Sequence, residues 1–560
     1  MKKVLLWFQD RRNLGLLTLS FGYLLILAFM SPIYNKAFHD DFAFAQSART
    51  FVETGNLKVS EWSTPTLIFQ ILWGGLFSKL FGFSLAGLTL STVVIFYVGL
   101  VAFYYLLTEL DVNIFRSVAF TFFLFSFPWI FLFTYTFMTD IPFLSLFILS
   151  LFLYLKGIKG NSSKMLFFAG VSASLAFLVR QTGILLVFSF LLVNLFIIKG
   201  ATKKEMFRKV LFGTLLPLIV FVTYLIWQRQ GDNKTLGQIF GQDRGFLLNI
   251  ERLIFPFSPE NFYTFPSFFL KLLARAFSYV IQLNVFLSSI YFALIISDGN
   301  YRKIITTKNI LLGALFTLFF LLVTGFLNRF GFDLFNTSFS PELFYFSGFW
   351  GMFELSFYRS AWVIFAILSI PLGALFLASY FKSYSKLEKN ELLIPLSFGL
   401  IFVFTLFLEH SWHEYTIIFV PLLIAILAIF TEKFKINRLV LSSVIFVSLF
   451  FSFANSKITH TVLGTTWESA TELVESKNIE ASRIDIFQFA WYPWWYFEKD
   501  FQTELEKYAG DKEKIPNLEF WKDYQNKRPD ISIHFTQKGC GNESTFLKEV
   551  DEIFVEGKVC

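Results

Sequence analysis

Long runs of apolar residues alternate with short polar segments over most of the chain. Because a helix needs about 20 apolar residues to cross a bilayer, each run predicts a membrane-spanning helix. The predicted spans, about 13 in number, lie at approximately 14–31, 84–107, 114–134, 140–155, 165–179, 183–198, 210–227, 274–296, 310–327, 361–381, 392–408, 416–430 and 438–454. The pattern therefore predicts an all-α polytopic membrane protein, with residues 1–454 as its transmembrane domain.

The pattern changes after residue 454, where short apolar runs alternate with charged, helix-like segments. This mixture predicts a small C-terminal α/β domain over residues 455–560. The region contains both cysteines of the chain, Cys540 and Cys560. A disulfide between them is expected if the region faces an oxidising compartment, and the sequence leaves this open.

The composition supports placement in a membrane. Of the 560 residues, 55% are hydrophobic and 16% are charged, whereas a soluble chain has about 25% charged residues. The first apolar run follows a basic start but precedes no small-residue cleavage site, so we predict a retained span and not a removed signal peptide.

The net charge of +7 does not indicate a nucleic-acid partner. The basic residues form short clusters between apolar runs, for example at 156–164, 199–209 and 302–308, as the positive-inside rule predicts for cytoplasmic loops. With a cytoplasmic N-terminus, about 13 crossings place these clusters inside and residues 455–560 outside. We therefore predict a multi-pass protein of the plasma (inner) membrane, with its active site on the extracytoplasmic side.

The apolar stretch from Pro65 to Phe81 needs a different placement. The chain must cross the membrane an even number of times between Asp41 and Asp140 if both are to lie outside, and spans 84–107 and 114–134 supply two crossings. We therefore predict that Pro65–Phe81 lies along or dips into the outer interface.

Three carboxylates lie beside predicted spans on the outer side. Asp40 and Asp41 are adjacent, and a neighbouring like charge with partial desolvation suits a general base. The alternative is that one of them caps a helix over 42–54. Asp140 precedes Pro142 and has the same two interpretations, as a helix start or as a functional acid at the membrane boundary.

Two further polar segments contain candidates for substrate binding. Arg180 interrupts an apolar stretch, where it either anchors the chain at the interface or binds an anion such as a lipid phosphate. His410, His413 and Glu414 have a spacing that places them on one helix face. A zinc site, a phosphate or sugar contact, and an interfacial histidine are all compatible with that spacing.

These segments resemble the GT-C superfamily of membrane glycosyltransferases, near the protein O-mannosyltransferase and lipid A aminoarabinose transferase families. The resemblance is carried by residues 38–55, 65–82, 138–142 and 178–183, and more loosely by 413–423. It implies a GT-C fold and an inverting transfer of a sugar from a polyprenyl-phosphate donor to an acceptor on the outer face.

The resemblance also implies roles for single residues. Asp40, with Asp41 beside it, is the catalytic acid that accepts or orients the acceptor proton, and Asp140 is a second catalytic acid, as a helper or metal contact. The implied substrate-binding residues are Arg180 on the carrier phosphate, His413, Tyr415 and His39. No cofactor is certain, and a divalent metal ion is left open.

The expected partners are a polyprenyl-phosphate sugar, the membrane, and a lipid, glycan or protein acceptor, with no nucleic acid. A transporter or flippase of a lipid-linked sugar is the main alternative, because the same charges would bind such a lipid without reacting. An O-antigen polymerase or ligase is a second alternative. The sequence shows no clear repeated halves, which are common among transporters.

Overall fold

The computed structural model describes the following residues: 10–30, 35–60, 62–63, 65–194, 202–230, 249–255, 265–297, 306–329, 369–371, 373, 391–408, 413–432, 434–486, 491–495, 531–534 and 553–556. Helices dominate this part of the chain. In chain order they are α1 Arg11–Met30, α2 Asp41–Thr54, α3 Ile68–Phe81, α4 Leu85–Glu109, α5 Ile114–Phe125, α6 Pro128–Phe133, α7 Asp140–Lys159, α8 Ser163–Phe177, α9 Ile184–Leu192, α10 Lys203–Gln230, α11 Phe265–Ser297, α12 Thr307–Arg329, α13 Leu393–Leu406, α14 Phe419–Thr431 and α15 Arg438–Lys477.

Six helices within the described residues are long and apolar enough to cross a membrane, namely α1, α4, α7, α10, α11 and α15. Large apolar side chains on their outer faces are exposed, such as Phe21 on α1 at 70% and Phe446 on α15 at 69%. An exposed apolar surface of this extent is suited to lipid. The protein is therefore a multi-pass helical membrane protein, and the predicted number of about 13 spans stays a prediction, since most of 361–381 lies outside the described residues.

The predicted span 114–134 is not one helix. It is divided into α5 and α6 between Phe125 and Pro128. Proline has no N–H to donate and suits the first position of a helix, so the chain ends one helix and starts another at this point.

Helix α7 is the centre of the described bundle. It packs against α4 on one side and α8 on the other, and the side chains between them form part of one continuous apolar core. Gly99 of α4 allows this close approach, because a Cβ there would lie 2.8 Å from the Cα of Ser145.

Helix α15 continues well beyond the predicted span 438–454. Asn437 caps its start, where its side chain accepts a hydrogen bond from the N–H of Leu439, and Asn478 ends it in the left-handed conformation with φ 55°. The predicted domain boundary at 454 therefore falls inside a continuous helix.

A three-stranded parallel sheet follows α15. Its order is β1 (Ile484–Ile486), β2 (Ile531–His534) and β3 (Ile553–Glu556), with Ile484 opposite Ile531 and Ile531 opposite Ile553. Most of the predicted C-terminal α/β domain, including Cys540 and Cys560, lies outside the described residues. That domain and the disulfide stay predictions.

Candidate active site

Asp40 ends a polar loop, here called the acidic loop (residues 35–40), which precedes α2. It occupies the N-cap position of α2, but its side chain makes no capping hydrogen bond. Its Oδ1 accepts a hydrogen bond of 2.8 Å from Nε1 of Trp62, and its Oδ2 lies 3.3 Å from Nδ1 of His39. The helix therefore starts at this pair of carboxylates, as the alternative predicts, but the side chain of Asp40, 32% exposed, is directed to other polar groups and not to a backbone N–H of the helix.

The charges around Asp40 keep it ionised. Burial raises the pKa of its carboxyl, but the charge and hydrogen bonding of His39, the hydrogen bond from Trp62 and the charge of Arg180 together lower the pKa below its ordinary value. The positive charge of Arg180 is the smallest of these effects. Asp40 is therefore available as an acceptor of hydrogen bonds or protons.

Asp41 is in a very different environment from its neighbour. It is only 2% exposed, and its two oxygens accept backbone hydrogen bonds from the N–H groups of Phe38 (2.5 Å) and Phe137 (3.3 Å). Burial raises its pKa well above the ordinary value, in opposition to these two hydrogen bonds. In this structure Asp41 joins the acidic loop to the segment before α7, and its predicted catalytic role stays a prediction.

Asp140 and Arg180 form an ion pair between Oδ1 and Nη1. Asp140 is the first residue of α7 and is 2% exposed. The preceding Thr139 is the N-cap residue, and its side chain accepts no capping hydrogen bond from the helix. Arg180 follows the end of α8 in an extended conformation (φ −142°, ψ 136°). Its guanidinium carbon lies 5.6 Å from the centre of the Tyr415 ring, within range of a cation–π contact.

Residues at the start of α3 form hydrogen bonds both to the chain just before Arg180 and to the chain just before Asp140. Thr66 Oγ1 donates to the carbonyl of Phe177 at 2.6 Å, and the N–H of Leu67 donates to the carbonyl of Val179 at 3.2 Å. The buried amide Nε2 of Gln70 donates to the carbonyl of Phe137, three residues before Asp140. These bonds fix the turn after α8 (residues 178–183, here called the arginine turn) against the start of α7.

The C-terminal half of α15 contacts the acidic loop. Lys36 Nζ donates to the carbonyl of Gly464 at 3.1 Å and forms an ion pair with Glu468 at 2.6 Å. The buried ring of His460 lies 6.4 Å from the ring of Phe38. This helix therefore supports the loop that contains His39 and Asp40.

The structure thus brings together most of the residues that the sequence predicts as a site: His39, Asp40, Asp41, Asp140, Arg180 and Tyr415. His413 begins a 3-10 helix, His413–Ile418, but its side chain and the whole of His410 lie outside the described part. The sequence does not indicate Trp62 or Gln70 as site residues, because a single tryptophan or amide in an apolar context gives no functional signal. Thr66 belongs to a segment that carries the family resemblance, which implies no role for it.

The described residues offer no group of three or more histidine, cysteine, aspartate or glutamate side chains able to hold a metal ion. Oδ2 of Asp140 is buried without a hydrogen-bond partner, which gives only one potential ligand. These residues do not make a complete metal site.

The fold and the site define a multi-pass helical membrane protein with carboxylates and a guanidinium gathered between helix ends. Residues 64–227 match the family described as dolichyl-phosphate-mannose-protein mannosyltransferase. This match confirms the resemblance to the protein O-mannosyltransferases over these residues. The matched segment includes Asp140 and Arg180 and begins after Asp40 and Asp41.

Solved structures of membrane glycosyltransferases are also similar to this chain. ArnT from Cupriavidus metallidurans in the apo state has 12% identity and a TM-score of 0.38, with 86% of this chain and 83% of that chain covered. ArnT bound to undecaprenyl phosphate has 12% identity and a TM-score of 0.37, with 86% and 84% covered. The oligosaccharyltransferase AglB from Archaeoglobus fulgidus, in complex with an inhibitory peptide and a dolichol-phosphate, has 12% identity and a TM-score of 0.37, with 84% and 58% covered. No curated protein sequence matches the chain.

Proposed function

We propose that this protein is an inverting glycosyltransferase that moves a sugar from a polyprenyl-phosphate donor to an acceptor on the extracytoplasmic face of the membrane. The acceptor belongs to one of three classes: lipid, glycan or protein. The observation that carries the proposal is the partly exposed carboxylate of Asp40 at the start of α2, together with the ion pair of Asp140 and Arg180 at the start of α7. The carboxylate of Asp40 suits an acceptor hydroxyl, and the guanidinium of Arg180 suits a phosphate.

Asp40 has the properties needed at the acceptor. Its carboxylate is partly exposed and its pKa is lowered by His39, Trp62 and Arg180 in opposition to burial, so it is ionised at neutral pH. Such a group accepts or orients the proton of a hydroxyl that attacks C1 of the sugar. The new O–C1 bond forms on the face opposite to the departing phosphate, which inverts the configuration at C1.

Arg180 has the properties needed at the leaving group. Negative charge accumulates on the polyprenyl phosphate as its bond to C1 breaks, and a fixed cation stabilises that charge. A guanidinium has five N–H donors in a planar fork that matches phosphate oxygens, and the Asp140 ion pair engages Nη1. The guanidinium carbon also lies 5.6 Å from the centre of the Tyr415 ring, within range of a cation–π contact.

The first test is phosphate recognition by the purified full-length protein. Undecaprenyl phosphate should raise the thermal unfolding temperature, and the neutral alcohol undecaprenol should not. The Arg180→Gln variant should lose this shift, whereas Arg49→Gln, which removes an arginine paired with Glu53 on α2, should keep it. An equal response to the phosphate and the alcohol would contradict the assignment of Arg180.

The second test is turnover with a panel of polyprenyl-phosphate hexoses and pentoses. Release of polyprenyl phosphate, together with a glycosylated acceptor of inverted anomeric configuration, is the expected result. A transporter or flippase would move the intact lipid across reconstituted vesicles without cleaving it. Transport without cleavage would therefore replace the enzyme proposal with that alternative.

A further inference from the structure

One oxygen of the Asp40 carboxylate is held by a side chain from another segment of the chain. Nε1 of Trp62 donates a hydrogen bond of 2.8 Å to Oδ1 of Asp40, across 22 positions of the sequence. The carboxylate of an aspartate otherwise rotates in a broad, roughly two-fold torsional well. A hydrogen bond to an ionised acceptor is also about twice as strong as one between neutral groups. This contact therefore restricts the orientation of the carboxylate.

The indole of Trp62 is itself held against α2. The N–H of Ser60 donates to Oγ of Ser47 on α2 at 2.9 Å, and the N–H of Ser63 donates to the carbonyl of Ser60 at 2.9 Å. Ser60 and Ser63 are both buried. The indole ring lies 6.2 Å from the ring of Phe42, the second residue of α2. The backbone on both sides of Trp62 is thus fixed, so its N–H is a stationary donor.

The same stretch of chain continues to the arginine turn. The N–H of Leu67 donates to the carbonyl of Val179, which lies within that turn, at 3.2 Å. The short segment from Trp62 to Leu67 therefore contacts Asp40 at one end and the chain beside Arg180 at the other. A stationary donor on this segment relates the position of the carboxylate to that of the guanidinium.

The carboxylate of Asp40 retains capacity for a further donor. An ionised carboxylate has about four lone-pair sites. One oxygen accepts from Trp62, and the other lies 3.3 Å from Nδ1 of His39. The side chain is 32% exposed. A hydroxyl of the acceptor can therefore bind this carboxylate without displacing the indole.

We propose that Trp62 is the positioning residue of Asp40, and that its indole N–H fixes the carboxylate in the orientation at which it accepts or orients the acceptor proton. This inference rests on the proposed function, in which Asp40 keeps its role. As the acceptor oxygen bonds to C1, its proton passes to Asp40, and the electron pair of the C1–O bond leaves with the polyprenyl phosphate. Trp62 exchanges no proton, because an indole N–H is a donor only. A donor that is already in place needs no reorganisation during the reaction.

The first variant is Trp62→Phe, which keeps an aromatic ring beside Phe42 and removes the N–H donor. A displacement of about 1 Å costs up to about 100-fold in rate, so we expect kcat to fall by at least about 10-fold. The donor KM should stay within a few-fold of the wild-type value, because the guanidinium of Arg180 is unchanged. Steady-state kinetics of the purified full-length protein with a polyprenyl-phosphate sugar measure both constants. A wild-type kcat, or a raised donor KM with a wild-type kcat, would overturn the proposal.

Trp73 on α3 provides the matched control. Its Nε1 donates to the carbonyl of Ser91 at 2.9 Å, and its side chain is half-buried, like that of Trp62. Trp73→Phe therefore removes the same kind of hydrogen bond at another place and should leave kcat unchanged. An equal fall of kcat in both variants would assign the effect to a general loss of stability and would overturn the proposal.

A second replacement separates the hydrogen bond from the packing of the ring. Benzothienylalanine at position 62 keeps the bicyclic shape of tryptophan and has sulfur in place of the N–H. We expect kcat to fall as in Trp62→Phe, with a thermal unfolding temperature close to that of the wild type. This replacement also decides the question if Trp62→Phe does not fold. A wild-type kcat with benzothienylalanine would overturn the proposal, because packing alone would then be sufficient.

The proposed function and the positioning role can fail separately. If Asp40→Asn is inactive and both replacements of Trp62 have the wild-type kcat, the proposed function stands and the positioning role fails. If Asp40→Asn is also fully active, the two fail together. Because Trp62 acts through Asp40, the double variant Trp62→Phe/Asp40→Asn should be no slower than Asp40→Asn alone. A further loss in the double variant would show a role that is independent of Asp40 and would overturn the proposal.

Discussion

Arg180 and Asp140 form an ion pair at the point where the arginine turn meets the start of α7. Asp140 is 2% exposed, so its charge has little contact with solvent. A buried charge that loses its partner destabilises a protein by about 3–5 kcal/mol. The pair therefore stabilises the junction of the arginine turn and α7, and under the proposed function the same guanidinium binds the donor phosphate.

The first prediction concerns this pair. Arg180→Gln should lower the free energy of unfolding by about 3 kcal/mol, because Asp140 is left buried and unpaired. The double variant Arg180→Gln/Asp140→Asn should recover a large part of this loss. Chemical denaturation of the wild type, both single variants and the double variant in one detergent gives the coupling energy. Strictly additive effects would show that the two groups do not interact.

The second prediction uses the raised pKa of Asp41. Burial makes the folded protein bind this proton more tightly than the unfolded chain, whose aspartate titrates near pH 3.9. Between that pH and the raised folded pKa, stability should fall as pH rises. Asp41→Asn should flatten this slope, and at neutral pH one of its two backbone hydrogen bonds should be lost. An unchanged slope in unfolding curves measured from pH 4 to pH 7 would contradict the assignment.

The third prediction concerns the arginine turn. A Cβ at Gly183 would lie 2.5 Å from the backbone nitrogen of Phe177 and 2.8 Å from the carbonyl carbon of Ala176. Gly183→Ala should therefore displace the turn, destabilise the protein by about 1–3 kcal/mol and weaken binding of undecaprenyl phosphate. At Gly399, on α13, a Cβ would meet no atom within 4 Å, so Gly399→Ala is the matched control. Equal thermal stability and phosphate binding in both variants would be inconsistent with this account.

The fourth prediction concerns the link between α3 and the segment before Asp140. Gln70→Leu keeps the side-chain volume but removes the donor to the carbonyl of Phe137, at a cost of about 1–3 kcal/mol. Ser78→Ala on the same helix removes only a bond to the carbonyl of Gly74 within that helix, at 2.9 Å. We expect Gln70→Leu to lower the unfolding temperature more than Ser78→Ala. The reverse order would show that this link does not support the site.

The hydrophobic pattern predicts the helices well where a helix and a bilayer span coincide. The predicted span 140–155 corresponds to Asp140–Lys159, and the predicted span 84–107 corresponds to Leu85–Glu109. The pattern is less informative where a helix is longer than the span that crosses the bilayer. Hydropathy detects the apolar first part of α15. It does not detect the continuation to Lys477, because that part contains many polar residues, several of which are buried in the protein.

The charged residues of the site are recognisable in the sequence because charge is rare beside apolar runs. Asp40, Asp140 and Arg180 are all found in this way. Their partners are not, since the hydrogen bond from Trp62 to Asp40 spans 22 positions and that from Gln70 to Phe137 spans 67. Such contacts depend on tertiary packing. The different environments of Asp40 and Asp41 likewise follow from burial, which adjacent positions in a sequence do not reveal.

The carboxylate of Asp40 is the group on which the proposed reaction depends, and its removal is the most direct test. Asp40→Asn retains the shape of the side chain and removes its charge. In an assay of purified protein with a polyprenyl-phosphate sugar, it should lower kcat at least about 100-fold with normal expression and normal binding of undecaprenyl phosphate. Asp111→Asn, which removes a carboxylate whose side chain is 85% exposed, should turn over normally. Normal turnover by Asp40→Asn would contradict the account.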